Sequence, residues 1–153
     1  DEKTGGQKLC YVYNWLGQQQ QKITCPLPNL TGKEEKLKVE FTKKPDKPNS
    51  QFGGSTIGEV KLYINGSEQK SATIEEHFPF PEYSDKFLTQ PGKFALCGEG
   101  FNIGRDAGQP VSTDYEHEYE FEGAKLKKVI VTIKNDAGAI DYEKELRGML
   151  MRD

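Results

Sequence analysis

An excess of positive charge and long apolar runs are both missing from this sequence of 153 residues. Its 21 basic and 24 acidic residues leave a formal net charge of -3, so no long-range positive field attracts nucleic acid or anionic lipid. No apolar run approaches the ~20 residues that a membrane-spanning helix needs. We therefore expect no nucleic-acid partner and no membrane insertion.

Cysteine is also scarce, with only Cys10, Cys25 and Cys97 in the chain. They form no C-x-x-C pair, which argues against a zinc site. Two readings stay open for the first two of them. They are packed free thiols, or they form a disulfide across a hairpin centred near Gln19.

Most of the sequence consists of segments with the patterns of β-strands. Residues 36–41 and 59–64 alternate between apolar and polar types, which is the pattern of half-buried strands. Further segments with a β-branched or aromatic bias are 9–15, 21–25, 72–80, 93–97, 119–122 and 126–133. Turn signals separate the segments, among them Asn65-Gly66, which fits a type I′ hairpin.

About eight short strands joined by such turns predict an all-β fold, an antiparallel two-sheet sandwich of the jelly-roll or laminin-G-like type, as one domain over residues 1–153. The tail differs from this pattern. Apolar residues at helical spacing predict a short amphipathic C-terminal helix over 140–151. That helix either packs back on the sandwich or docks on a partner.

Four residues are candidates for contact with a ligand or a partner: Trp15, Tyr13, Arg105 and Asp106. Tyr13 and Trp15 share a strand face with Tyr11, and such a stripe serves either as a platform for stacking sugars or as core. Arg105 and Asp106 lie in a glycine-rich stretch. They either contact a ligand or pair with each other and with backbone groups in a tight loop.

Several segments, taken in order, are similar to one known domain. They are Y-V-Y-N-W at 11–15, the K-V-E-F strand ending at 41, G-E-V-K-L-Y-I-N-G at 58–66, F-N-I-G-R-D-A-G-Q-P-V at 101–111, F-E-G at 121–123 and residues 128–133. Together they resemble the C-terminal β domain that follows the catalytic domain of many bacterial and some algal arylsulfatases. The likeness extends roughly over residues 8–135. The family usually has Asp at the position of Asn102 and a small hydroxyl residue at that of Gln109.

The resemblance implies the accessory half of such an enzyme without the catalytic half. Sulfatases make their nucleophile from the first residue of a Cys/Ser-x-Pro-x-Arg motif, and the nearest text here, C-P-L-P-N at 25–29, has proline at the wrong offset and Asn in place of Arg. We assign no catalytic residue, no metal ligand and no cofactor.

The leading hypothesis is a non-catalytic accessory or interaction domain that packs on a partner polypeptide. One alternative is a lectin-like carbohydrate-binding module, and another is a separately encoded or cleaved piece of a sulfatase. Two Asn-x-Ser/Thr sequons, at Asn29 and Asn65, favour an extracytoplasmic location, which means secreted, periplasmic or in the lumen of an organelle.

Overall fold

The computed structural model describes residues 6–15, 17–28, 32–45, 54–90, 102–106, 108–116, 119–122 and 124–134. The chain divides into two compact units, Asp1–Phe121 and Glu122–Asp153. The helix predicted over 140–151 and the strand predicted over 93–97 lie outside the described residues. The expectation of one domain over 1–153 stays a prediction.

The first unit is built of short strands in antiparallel sheets. The strands are β1 (Lys8–Trp15), β2 (Gln19–Pro26), β3 (Leu37–Lys43), β4 (Ile57–Ile64), β5 (Ser67–Glu68), β6 (Thr73–Glu76), β7 (Phe87–Leu88), β8 (Arg105–Asp106) and β9 (Tyr119–Glu120). The first sheet has the order β1-β2-β6. In the second sheet the order is β3-β4-β5, and β7 also pairs with β4, while β8 and β9 form a small third sheet. The predicted all-β antiparallel sandwich is confirmed.

Two buried clusters fill the space between the first and second sheets. Alternate residues of β2 and β4 point to the same interior because strand side chains have a period of two. The larger cluster consists of Ile23, Cys25, Val60, Leu62, Ile64 and Phe87. The smaller one consists of Ile57, Phe78, Tyr83 and Leu88, with Trp15 packed against it.

Two tight turns agree with the sequence. Asn65 has φ 50° and Gly66 has φ 83°, and a type I′ turn needs positive φ at both positions. The turn between β1 and β2 contains Gly17 at φ 71°, where a side chain would be strained. Its amide donates to the Asn14 side-chain oxygen at 2.8 Å, which closes the hairpin near the predicted position.

The disulfide between Cys10 and Cys25 is not formed. In the register of β1 with β2, Cys10 lies opposite Thr24 and Leu9 lies opposite Cys25. The two thiols therefore point to opposite faces of the sheet, and both are free.

Three strand predictions need correction. The segment 119–122 is a strand only over Tyr119–Glu120. The segment 72–80 is a strand only over Thr73–Glu76. In the second unit, the described residues 124–134 form no strand, so the strand predicted over 126–133 is wrong. Its apolar residues remain open to solvent, as Ile130 and Ile133 do at 66% and 87% exposure. A β-branched composition favours a strand only where a neighbour supplies the ladder and a surface to pack on.

Candidate interaction surface

Strand β3 lies at the margin of the second sheet. It pairs with β4 in a continuous antiparallel register from Leu37 opposite Ile64 to Lys43 opposite Gly58. Among the described residues, β4 is its only partner strand. One long side of β3 is therefore an edge within the described part of the chain.

The hydrogen-bond register shows which backbone groups point out of that edge. The Asn65 amide donates to the Lys36 carbonyl at 2.8 Å and the Lys44 amide donates to the Ile57 carbonyl at 2.9 Å. Residues directly opposite each other in an antiparallel pair alternate between hydrogen-bonded and non-hydrogen-bonded. The even-numbered residues of β3 therefore bond to β4, and the amides and carbonyls of Leu37, Val39 and Phe41 point away from it.

The same three residues carry an exposed apolar strip. Their register partners on β4 are Ile64, Leu62 and Val60, which are buried in the larger cluster. Leu37, Val39 and Phe41 point to that same face, yet they remain 43%, 41% and 40% exposed. We call these three side chains, together with their outward backbone groups, the β3 edge. No described strand pairs with these outward backbone groups, and a contiguous apolar surface beside such groups is a typical contact site for another chain.

The opposite face of β3 carries charged side chains that contact their neighbours. The Lys38 ammonium group contacts a Glu40 carboxylate oxygen at 2.9 Å. It also lies over the Tyr63 ring, 4.4 Å from the ring centroid. Charges of opposite sign thus stand two residues apart on the same face of the edge strand.

Tyr13 and Trp15, two of the predicted contact residues, are directed to the interior of the sandwich. The Tyr13 hydroxyl accepts a hydrogen bond from the Gln90 amide at 2.8 Å. The Trp15 ring packs edge-on against Phe78, with the centroids 5.4 Å apart. Tyr11 likewise packs against Phe87. The aromatic face of β1 is engaged with the core.

Arg105 and Asp106, the other two predicted residues, form β8. The Asp106 carboxylate accepts hydrogen bonds from the Val111 amide at 3.1 Å and from the Tyr115 hydroxyl at 2.5 Å. Burial, and then the bond to Asp106, raises the pKa of Tyr115 to about 12. Asp106 thus stabilises the loop that follows it by bonding to two of its residues. The Arg105 side chain is exposed. These two residues are not brought into one site with Tyr13 and Trp15.

The loop that follows β8 is attached to the outer face of the first sheet. Lys22 contacts Asp114 at 2.6 Å, and Asn14 donates to the Val111 carbonyl at 3.2 Å. The hydrogen bond and charge of Lys22, with a further bond from Ser112, hold the pKa of Asp114 below its ordinary value. The side chains of Lys22, Asn14 and Asp114 are therefore engaged in contacts between this loop and the sheet.

Several kinds of chemical site find no support in the described residues. No group of three or more His, Cys, Asp and Glu side chains in that part of the chain is arranged to hold a metal ion. Desolvation raises the pKa of the thiols of Cys10 and Cys25, which disfavours the reactive thiolate. A cleft of about 160 Å³ beside β4 and β5 is lined partly by Lys61 and Glu68, but these two pair with each other at 3.2 Å.

Comparison of the chain with models of protein families, with curated proteins and with solved structures finds no match. The arylsulfatase resemblance therefore stays a prediction. Within the described residues, no helix has the length and apolar character needed to cross a membrane.

The sequence predicted the strand and the apolar face of the β3 edge, but not its position at the margin of a sheet. The alternation of residues 36–41 predicts a strand with one apolar face, and that strand is present. Periodicity does not tell a central strand from an edge strand, because both expose one polar face. The lysines at positions 36, 38 and 43 were the available signal, since charged side chains, lysine above all, are enriched on edge strands.

Proposed function

We propose that this chain is a non-catalytic interaction domain, and that the β3 edge is the surface through which it binds another polypeptide. The observation that carries the proposal is the coincidence of two features on the same residues. Leu37, Val39 and Phe41 present both exposed apolar side chains and outward backbone groups. A strand from a partner would satisfy the backbone groups while covering the side chains, which is the mode called β-augmentation.

The sequence supports the same conclusion from a separate direction. The resemblance to the arylsulfatase C-terminal domain implies a module that packs on another domain rather than one that carries chemistry. Desolvation raises the pKa values of Cys10 and Cys25, while the carboxylates of Asp106 and Asp114 bond to Tyr115 and Lys22. Among the described residues, these groups supply no alternative centre of reactivity.

A carbohydrate-binding role receives less support. Its proposed platform was the aromatic face of β1, and Tyr13 and Trp15 use that face for contacts with Gln90 and Phe78.

The test compares two valines that are equally exposed. Val39 is 41% exposed on the β3 edge, and Val111 is 42% exposed far from it in sequence. The chain and its Val39→Lys and Val111→Lys variants are expressed in the source cells, isolated without reductant and measured by native mass spectrometry. We expect the unaltered chain and Val111→Lys to carry a stoichiometric polypeptide, either a second copy or a different chain, and Val39→Lys to lose it.

Two outcomes would contradict the proposal. One is a bare monomer for the unaltered chain at every concentration and from every preparation. The other is a complex that Val39→Lys and Val111→Lys leave equally intact, which would locate the contact elsewhere. The sequence of a different bound polypeptide would also show whether it contains the sulfatase nucleophile motif.

A further inference from the structure

We infer that the polypeptide bound at the β3 edge is a second copy of this chain, joined through antiparallel β3–β3 pairing with Val39 on the two-fold axis. This inference rests on the proposed function and specifies its partner. The β3–β3 pairing would extend the second sheet across the two-fold axis. It would also bring the two exposed apolar strips side by side on one face.

The backbone allows only some registers. Since the amides and carbonyls of Leu37, Val39 and Phe41 point outward, these odd-numbered residues must be the hydrogen-bonded positions of any new ladder. A two-fold pairing can then be centred on an odd residue, with hydrogen bonds exchanged across the axis. Otherwise it is centred on an even residue, which becomes a non-hydrogen-bonded pair.

Charge selects among the allowed registers. A pairing centred on Lys38 places two lysines directly opposite each other, and one centred on Glu40 places two glutamates opposite each other. Like charges in directly opposed positions are destabilising. The pairing centred on Val39 instead puts Lys38 of each copy opposite Glu40 of the other, so that two attractive pairs form.

The apolar face selects the same register. Centred on Val39, the pairing sets valine against valine and places Leu37 of each copy opposite Phe41 of the other. Centred on Phe41, it would set Val39 opposite the charged Lys43. Only the register at Val39 matches apolar to apolar on one face and opposite charges on the other, and in this sense the β3 edge is complementary to itself.

The experiment is sedimentation equilibrium of the full chain between about 1 µM and 1 mM, a range in which weak self-association is measurable. We expect a monomer–dimer equilibrium. Lys38→Glu and Glu40→Lys should each raise the dissociation constant roughly tenfold or more, because each replaces two attractive pairs with two repulsive ones. Lys70→Glu, which makes the same change of charge at an exposed site outside β3, should leave the equilibrium unchanged.

A mixing experiment adds a readout that a general loss of stability would not produce. When the Lys38→Glu and Glu40→Lys chains are combined, the register at Val39 again places opposite charges in both pairs. The mixture should therefore associate more tightly than either variant alone. Val39→Pro, which removes an outward amide without removing a hydrogen bond to β4, should abolish association while circular dichroism remains that of the unaltered chain.

The unaltered chain remaining monomeric over the whole range would overturn self-pairing. So would a dimer that neither charge variant weakens, or a mixture that associates no better than its components. The proposed function fails separately. If the chain does not self-associate, yet Val39→Lys still releases a different polypeptide in the native mass spectrometry experiment, the β3 edge is an interaction surface for another partner.

Discussion

The side-chain amide of Gln21 pairs with both backbone groups of Leu88. Gln21 Nε2 donates to the Leu88 carbonyl at 2.8 Å, and the Leu88 amide donates to Gln21 Oε1 at 2.7 Å. Gln21 belongs to the first sheet and Leu88 to β7 of the second, and both residues are fully buried. One glutamine thus acts as a short strand partner that joins the two layers of the sandwich.

Replacing this glutamine should cost stability. Gln21→Leu keeps most of the side-chain volume but leaves the buried amide and carbonyl of Leu88 without their partner. Each unsatisfied buried group costs about 1–3 kcal/mol, so we expect the free energy of unfolding in urea to fall by roughly 2–4 kcal/mol. Gln18→Leu, at an exposed turn position, is the matched control and should change it by less than about 0.5 kcal/mol. Equal effects of the two substitutions would refute the role given to Gln21.

The role of Gln21 in joining the two sheets could not be predicted from the sequence. A glutamine within a Q-Q-Q-Q-K run is typical of an exposed hairpin, and the strand pattern only indicates that alternate residues face inward. Its interior role depends on Leu88, which is 67 residues away and belongs to a two-residue strand, β7, too short to have a periodic signal. Local patterns specified the long strands and the type I′ turn. The short strands and the contacts between sheets depend on tertiary pairing.

In the candidate site, too, local patterns predicted the strand, while the features that depend on tertiary contacts were not predictable. The alternating pattern around Val39 predicted the strand and its apolar face, but not the lack of a neighbour beyond it in the described residues. Tyr13 and Trp15 were open to two readings because an aromatic stripe has the same spacing in a core and on a binding platform. Only the positions of Gln90 and Phe78 distinguish the two.

Phe41 and Gly58 form a second cross-strand relationship with a measurable consequence. The Phe41 ring lies directly over Gly58, in the space that a Cβ atom there would enter, as aromatic residues do when they cover a glycine in a sheet. Gly58→Ala should therefore force the ring aside. Because Phe41 is 40% exposed and its ring can turn toward solvent, we expect the free energy of unfolding to fall by only about 0.5–1.5 kcal/mol. In the Phe41→Leu background the same substitution should cost less. A double-mutant cycle with no coupling energy would contradict the contact.

The ion pair between Lys22 and Asp114 should contribute to acid sensitivity. Because the pKa of Asp114 lies below its ordinary value of 3.8, its carboxylate stabilises the folded chain above that pH. The contribution is lost as the pH falls through the lower folded-state pKa. Asp114→Asn should flatten the dependence of stability on pH below about pH 4, with a change at neutral pH of at most about 1 kcal/mol for this partly exposed pair.

Thermal unfolding of both chains between pH 2 and pH 7 measures this effect. Asp85→Asn is the control, since Asp85 lies 3.9 Å from Lys86 at the surface and is 78% exposed. If Asp114→Asn and the unaltered chain lose stability in parallel on acidification, the Lys22–Asp114 pair is not responsible.

Glu75 belongs to the same network, and a bond from Thr24 lowers its pKa most. Glu75→Gln should therefore flatten the remaining acid dependence.

The two described cysteines should differ in their reaction with iodoacetamide. Desolvation raises the pKa of both thiols, so native labelling at neutral pH should be slow at each. Raising the pH should label Cys10, which is exposed, before Cys25, which is buried. Mass mapping of the peptides checks this, and Cys25 should label fully only in urea. A Cys10–Cys25 disulfide recovered without reductant would contradict the opposite-face register.

We propose that β3 is an open edge through which the chain binds another polypeptide. Residue-resolved amide hydrogen exchange along β3, measured by NMR in a dilute sample and in the associated state, tests it most directly. In the dilute chain the amides of Lys38, Glu40 and Thr42 should be protected by β4, while those of Leu37, Val39 and Phe41 exchange rapidly. These three should become protected on association. Strong protection of all six amides in the dilute monomer would contradict the claim, because it would mean that the edge is already paired.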